Sequence, residues 1–255
     1  MNKKTPFVLL SATLLVVAAI SFSPLARAKA YPADVEKARG GDLKITPVNH
    51  ATLLLEAGGK VILVDPTKGQ GGATVDYSDV PKPDLILITD IHGDHMDQAT
   101  IDKVKKASTI VVAPAAVAKT ITEAQVINNG ETKTIGGVSI EAIPMYNMVR
   151  GPQPGTFFHD KGRGNGYILT LAGKRIYISG DTEAIPEMKA LKNIDVAFIC
   201  MNLPYTMTAP EAAAAVKAFR PKVVYPYHSR GTNVEEFASA LKDTPGIEVR
   251  IRNWY

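Results

Sequence analysis

The sequence predicts an α/β protein in which two β-rich layers are covered by helices on the outside. Three observations predict it. Short apolar segments of strand length come in runs and are followed by segments with helical spacing. The same order returns in the second half of the chain, which calls for two layers of similar build. The runs Leu85–Thr89 and Val196–Cys200 are almost uninterruptedly apolar, as strands covered on both faces are.

Taken in order, Leu43–Val48, Ala51–Ala57 and Lys60–Val64 read as consecutive strands, the last two joined by the hairpin signal Gly58-Gly59. Asp65-Pro66 ends the third, and a glycine-rich loop, Gly69–Gly72, follows. Leu85–Thr89 is a buried strand, Asp97–Lys106 a helix, Thr109–Ala113 a strand and Pro114–Thr120 a short helix. Val126, Ile135 and Val138–Ile143 continue the β pattern. Met145–Gly166 is rich in Gly, Pro and polar residues without periodicity, and an irregular loop of this length is usually functional. Tyr167–Leu171 and Arg175–Ser179 are strands, Glu183–Leu191 a helix and Asp195–Cys200 a strand. Thr208-Ala209-Pro210-Glu211 has capping-box spacing and opens a helix to Phe219. Val223–Tyr225, a helix at Val234–Leu241 and Ile247–Ile251 complete the series.

The N-terminus reads differently. Lys3 and Lys4 precede an apolar stretch from Phe7 to Ile20, and Ala26-Arg27-Ala28 is a small-x-small cleavage pattern. Residues 1–28 are therefore expected to be a signal peptide and residues 29–255 the mature domain, periplasmic or secreted, with no stable membrane anchor after cleavage. The apolar stretch falls short of the ~20 residues that span a bilayer. The formal charge of +4 owes much to Lys3, Lys4 and Arg27, so the remainder is close to neutral. With no basic block and no interleaved aromatics, nucleic acid is excluded as an expected partner and a small-molecule substrate is favoured. Cys200 is the only cysteine, which rules out an internal disulfide; its apolar run makes it a core residue. Nothing in the pattern speaks to oligomeric state.

Chemistry concentrates after the buried strand. In Asp90-Ile91-His92-Gly93-Asp94-His95, two imidazoles and two carboxylates fall within one hexapeptide. Mixed nitrogen and oxygen donors suit Zn²⁺ and similar divalent ions, and Gly93 is expected to permit the tight turn that aims them inward. The other histidines are His50, His159 and His228.

The hexapeptide resembles the His-x-His-x-Asp-His motif of the metallo-β-lactamase superfamily, with Asp90 in place of the first histidine. Ser179-Gly180-Asp181-Thr182 resembles the family's strand-end Gly-Asp-Thr, and Tyr225-Pro226-Tyr227-His228 the segment that carries its last histidine. Val48-Asn49-His50-Ala51 and Leu63-Val64-Asp65-Pro66 resemble early strands of its ascorbate-lactonase-like and phosphodiesterase-like branch. The resemblance implies an αββα four-layer sandwich and one or two divalent ions, zinc first, with manganese or iron as alternatives. One metal set implied is Asp94, His95, Asp181 and His228. The other departs from the family: His92 keeps its place, and Asp90 and Asn147 stand as oxygen donors where related chains carry histidine. His159 is either a replacement ligand or a solvated loop residue. His50 is either a group beside the ligands or substrate, or one satisfied by backbone.

The reaction implied is attack by metal-activated water on an ester, lactone, amide or phosphodiester. Asp94 is the expected water orienter and proton carrier. Tyr146, with Tyr205 and Tyr227 as alternatives, is the expected donor to the developing oxyanion. The competing reading is a non-catalytic metal- or ligand-binding protein on the same fold.

Overall fold

A computed structural model describes Met1 and residues 31–255. The signal-peptide reading falls almost wholly on residues 2–30, outside the described residues. Among the described residues no helix is long and apolar enough to cross a membrane.

Two seven-stranded sheets form the centre. The first runs in chain order: β1 (Asp34–Glu36), β2 (Leu43–Asn49), β3 (Thr52–Ala57), β4 (Lys60–Val64), β5 (Leu85–Leu87), β6 (Ile110–Ala113) and β7 (Gln125–Val126). The second is assembled in the same manner from β8 (Thr132–Ile135), β9 (Val138–Met145), β10 (Gly164–Leu171), β11 (Lys174–Ile178), β12 (Val196–Cys200), β13 (Val223–Tyr227) and β14 (Glu248–Val249). Each sheet starts as an antiparallel meander and turns parallel at its fourth strand, β4 to β5 and β11 to β12. That shared change of direction is the recurrence visible in the sequence.

Alternation along the strands decides the layers. Leu53, Leu55, Ile62, Val64, Leu85 and Leu87 point between the sheets and pack with Ile140, Tyr167, Ile178 and Phe198 of the second sheet. Their neighbours Leu54, Leu63, Ile86 and Ile88 point the other way, onto Ile101 and Val104 of α1 (Gln98–Val104) and Val117 of α2 (Ala115–Ala118). A period of two thus loads both faces of one strand. The second sheet's outer face is covered by α3 (Pro186–Lys189), α4 (Ala209–Phe219) and α5 (Val234–Leu241), through Met188, Val216 and Phe237. The four layers are those of the metallo-β-lactamase fold.

Most expected elements form. The capping box of α4 is present in both directions, with Thr208 accepting from Glu211 N–H and the Glu211 carboxylate accepting from Thr208 N–H. Strand β1 was not anticipated; its pairing with β2 and the Arg252 clasp on Asp34 hold it. The helix expected from Glu183 begins only at Pro186. Proline suits a first helical turn but not an interior, and Glu183 N–H is taken by Tyr146 O at the end of β9. The long loop shortens to residues 146–163, because Gly164–Gly166 pair with Met145–Ile143.

Candidate metal centre

The carboxyl ends of the parallel strands meet along one edge of the sandwich, where open α/β sheets place their ligands. Asp65 follows β4, Asp90–His95 follow β5, Asp181 follows β11, Asn202 follows β12 and His228 follows β13. His50 follows β2, and His159 arrives from the loop between β9 and β10.

Three imidazoles converge on Asp181. Its Oδ2 lies 3.3 Å from His95 Nε2 and 3.3 Å from His159 Nε2, and its Oδ1 lies 3.4 Å from His228 Nε2. Asp94 Oδ2 is 3.4 Å from His228 Nε2 and 3.1 Å from His50 Nε2. On the other side His92 Nδ1 sits 2.9 Å from Asp90 Oδ2, which is 3.9 Å from His159 Nε2. Donor atoms of His95, Asp181 and His228 all lie within 4.8 Å of one another, as do those of Asp90, His92 and His159, and those of His50, Asp94 and His228.

These groups fit a divalent cation on their own chemistry. His95 Nε2, Asp181 Oδ1 and both ring nitrogens of His228 are buried without a hydrogen-bond partner. Buried polar groups are normally satisfied, and several orphans aimed at one another mark a place for an ion. Burial alone would raise the Asp181 carboxyl, yet His228 and His95 hold it well below the usual range. Burial would likewise lower His95, but Asp181 and Asp65 hold it well above the histidine range.

A second layer of contacts sets which ring nitrogen faces inward. Asp65 is fully buried; its Oδ2 accepts from His95 Nδ1 at 2.8 Å and from the Thr89 hydroxyl at 2.6 Å, and its Oδ1 accepts from Thr89 N–H at 2.8 Å. With Nδ1 engaged by Asp65, Nε2 is the nitrogen turned to Asp181 and the one that would face an ion. Asn147 does the same for His159: its Oδ1 accepts from His159 Nδ1 at 2.6 Å and from His159 N–H at 2.9 Å. His50 is held between Asp94 and the Tyr255 hydroxyl, 2.8 Å from its Nδ1. Burial, first among its causes, pushes His50 down to about 4. Glu183 seats the loop that carries Asn147, accepting from the backbone N–H groups of Met148, Val149 and Arg150.

Local backbone strain gathers at the same edge. His50, Asp65 and His228 have φ of 55°, 45° and 46°. Left-handed backbone is uncommon outside glycine, though Asn, Asp and His tolerate it best. Gly93, by contrast, has open space at the Cβ position and no left-handed φ, so the turn does not depend on it as expected. Gly180 is the glycine that matters: φ is 60°, and a Cβ there would sit 2.6 Å from Met145 Sδ.

Several sequence expectations need correction. Asn147 is expected as an oxygen ligand, but its Oδ1 is taken by His159 and its Nδ2 donates to Tyr205 O at 2.8 Å, so it stands behind the cluster. His159 has come in from the loop and is buried, not solvated. Tyr146 is expected as an oxyanion donor, but its hydroxyl donates to Glu187 Oε2 at 2.9 Å, away from the cavity. Tyr227 is buried with its hydroxyl accepting from Gly180 N–H. Only Tyr205 of the three tyrosines lines the cavity of about 300 Å³, along with His92, Asp94, His159, Asp181 and Arg230. Asp90 is expected as an oxygen donor, and Arg163 also grips both its oxygens, at 3.1 and 3.0 Å. Burial opposes ionisation of Asp90, and His92, His95 and Arg163 overcome it, holding the carboxyl down at about 2. Arg163 and the orienting role of Asn147 have no signal in the sequence, since both depend on loop placement; Asp65 stands there at a strand end and in the family-like Leu63-Val64-Asp65-Pro66, without an assigned role. Cys200 is the buried core residue expected, its thiol pushed up to about 12 mainly by burial.

Comparison with known proteins agrees with this geometry. Residues 44–228 match the family described as the β-lactamase superfamily domain. A UPF0173 metal-dependent hydrolase of Geobacillus sp. strain WCH70 is 33% identical over 198 residues, covering 73% of this chain and 85% of that one. Another, from Pyrococcus abyssi, is 30% identical over 222 residues, covering 81% and 96%. The crystal structure of a proposed metal-dependent hydrolase from Parabacteroides distasonis superposes with a TM-score of 0.81 at 44% identity, covering 88% of this chain and 99% of that one. The chain belongs to the β-lactamase superfamily, within its UPF0173 family of metal-dependent hydrolases.

Proposed function

We propose that the chain is an exported hydrolase that uses one or two divalent ions, zinc first, to cleave an ester, lactone, amide or phosphodiester. The observation that carries this reading is the convergence of three imidazole Nε2 atoms on the buried Asp181 carboxylate, with His95 Nε2 and His228 Nε2 lacking hydrogen-bond partners. Asp94, His95, Asp181 and His228 would hold one ion; Asp90, His92, His159 and Asp181 would hold the other. A divalent ion there supplies Lewis acidity, which acidifies water and polarises a carbonyl or phosphoryl oxygen.

The chain's own groups do the rest. Asp94 is the one partly exposed carboxylate of the cluster, at 30%. Its Oδ2 is held by His50 at 3.1 Å, and the carboxylate lines the cavity as an acceptor that would orient the attacking water and take its proton. Tyr255 and Asp94 together hold the His50 ring in place. Tyr205 lies on the cavity wall, where its phenol would donate to charge developing on the substrate oxygen.

The test is metal content of the purified protein, with turnover of ester, lactone, amide and phosphodiester panels. The reading expects at least one equivalent of metal, lost in part from Asp181→Ala and His228→Ala. Full metal retention by both variants overturns the site; metal without turnover on any panel restores the non-catalytic binder. Export rests on residues 1–28, and is tested by the N-terminal mass of protein recovered from the periplasm.

A further inference from the structure

The cavity has a polarity of its own beyond the metal ligands. Arg230, two residues past His228, is exposed to solvent and lines the cavity. Among the described residues no carboxylate pairs with its guanidinium, whereas Arg150, Arg163, Arg175, Arg250 and Arg252 each have one. Exposed arginines often lack partners; one that shares a small cavity with a hydrolytic cluster is placed to receive part of a substrate.

The same cavity also has apolar walls. Phe158 and Tyr205 meet edge to face, ring centroids 5.0 Å apart at 72°, and both line the cavity. Around them the loops expose Met148, Val149, Phe157 and Leu203, with Val149 at 81%. Apart from Met1 and Val35, these four and Tyr205 make up the large exposed hydrophobic residues of the described chain. The loops are joined: Asn147 Nδ2 donates to Tyr205 O at 2.8 Å, and Phe158 N–H donates to Arg150 O at 3.2 Å. A concentrated apolar lip beside a polar cavity marks a binding surface.

We propose that the substrate is amphipathic and anionic: a carboxylate or phosphate group is received by Arg230, and an aryl or alkyl group lies on Phe158, Tyr205 and the apolar lip. This rests on the hydrolase reading for the position of the scissile bond, which would fall at Asp94 and Asp181 in the same cavity. Arginine recognises either anion through paired N–H donors. The lip removes the apolar portion from water.

The experiment measures binding of three probes by calorimetry, to metal-loaded and to chelator-treated full-length protein: 4-phenylbutyrate, 3-phenylpropyl phosphate and neutral 4-phenylbutanol. One of the two anions should bind about tenfold more tightly than the alcohol in the chelator-treated protein, and which one does so tells carboxylate from phosphate. Arg230→Ala should abolish that preference while leaving affinity for the alcohol unchanged, and Arg230→Lys should recover part of it. The double variant Val149→Ser, Leu203→Ser, at two exposed positions, should weaken all three probes alike. Equal weakening of anion and alcohol by Arg230→Ala, or no loss from the lip variant, overturns the proposal. Protein that binds no metal yet keeps the Arg230-dependent preference would remove the hydrolase reading and leave this one standing.

Discussion

Changing Asp65 to Asn removes one charge and one acceptor from a position 0% exposed, and hardly alters shape. The backbone should accept it, since Asn tolerates the left-handed φ of 45° as Asp does. One oxygen can still accept from Thr89 N–H, as Oδ1 does at 2.8 Å. The amide nitrogen, however, replaces the oxygen that accepts from both the Thr89 hydroxyl and His95 Nδ1. The threonine hydroxyl can rotate to become an acceptor; the imidazole N–H cannot. Losing a hydrogen bond to a charged group costs about 1.5–3 kcal/mol, which for a domain of this size lowers Tm by roughly 3–12 °C. The histidine can avoid the clash by moving its proton to Nε2, the nitrogen that faces Asp181, and metal affinity should then fall about 10- to 100-fold. Thermal unfolding of chelator-treated protein reads the first effect, and competition against a chromophoric chelator reads the second. Wild-type Tm together with wild-type affinity in Asp65→Asn would refute the claim that Asp65 sets the His95 tautomer.

Asn147→Leu keeps the branched side-chain shape but strips His159 of its acceptor, so metal should weaken about tenfold on the Asp90–His92–His159 side alone; titration with a spectroscopic ion that resolves two sites would show it. Phe198→Ala empties the space stacked on Tyr225 at 5.0 Å and should cost about 3–5 kcal/mol in urea unfolding. Asp34 is held below its usual carboxyl range: burial opposes this, and the donors of Arg252 and Tyr225 outweigh it. Its stabilisation is therefore present above the unfolded value of about 4 and is lost as pH falls through the lower folded one. Asp34→Asn should accordingly be less stable than wild type at neutral pH, with the gap closing in acid unfolding curves.

The fold was legible because its strands alternate cleanly. Leu53-Leu54-Leu55 and Leu85-Ile86-Leu87 send consecutive side chains to different cores, so strand length and boundaries show in the apolar pattern. Strand β1 was not legible, since Asp34–Glu36 has no such pattern and is held by residues some two hundred positions away. At the site, the motif order is legible at strand ends: donor atoms of His95, Asp181 and His228 lie together, and those of Asp94, His50 and His228 form a neighbouring group. Residues on the 146–163 segment could not, because no periodicity reports where an irregular loop folds back. Tyr146 thus turned out to face Glu187, Asn147 to stand behind His159, and Arg163 to neutralise Asp90.

The left-handed strand ends at His50, Asp65 and His228 also bear on how such a centre can change over time. A group whose direction is set by an unusual backbone torsion can be replaced by few residue types, and moving it means rebuilding the sheet edge. The Asn147–His159 pair obeys no such rule. There one imidazole, delivered from twelve residues along a loop, occupies a place that an amide merely props up. The strand-end groups are therefore tied to the scaffold, whereas the place of His159 depends on a loop and can be altered without rebuilding a sheet edge.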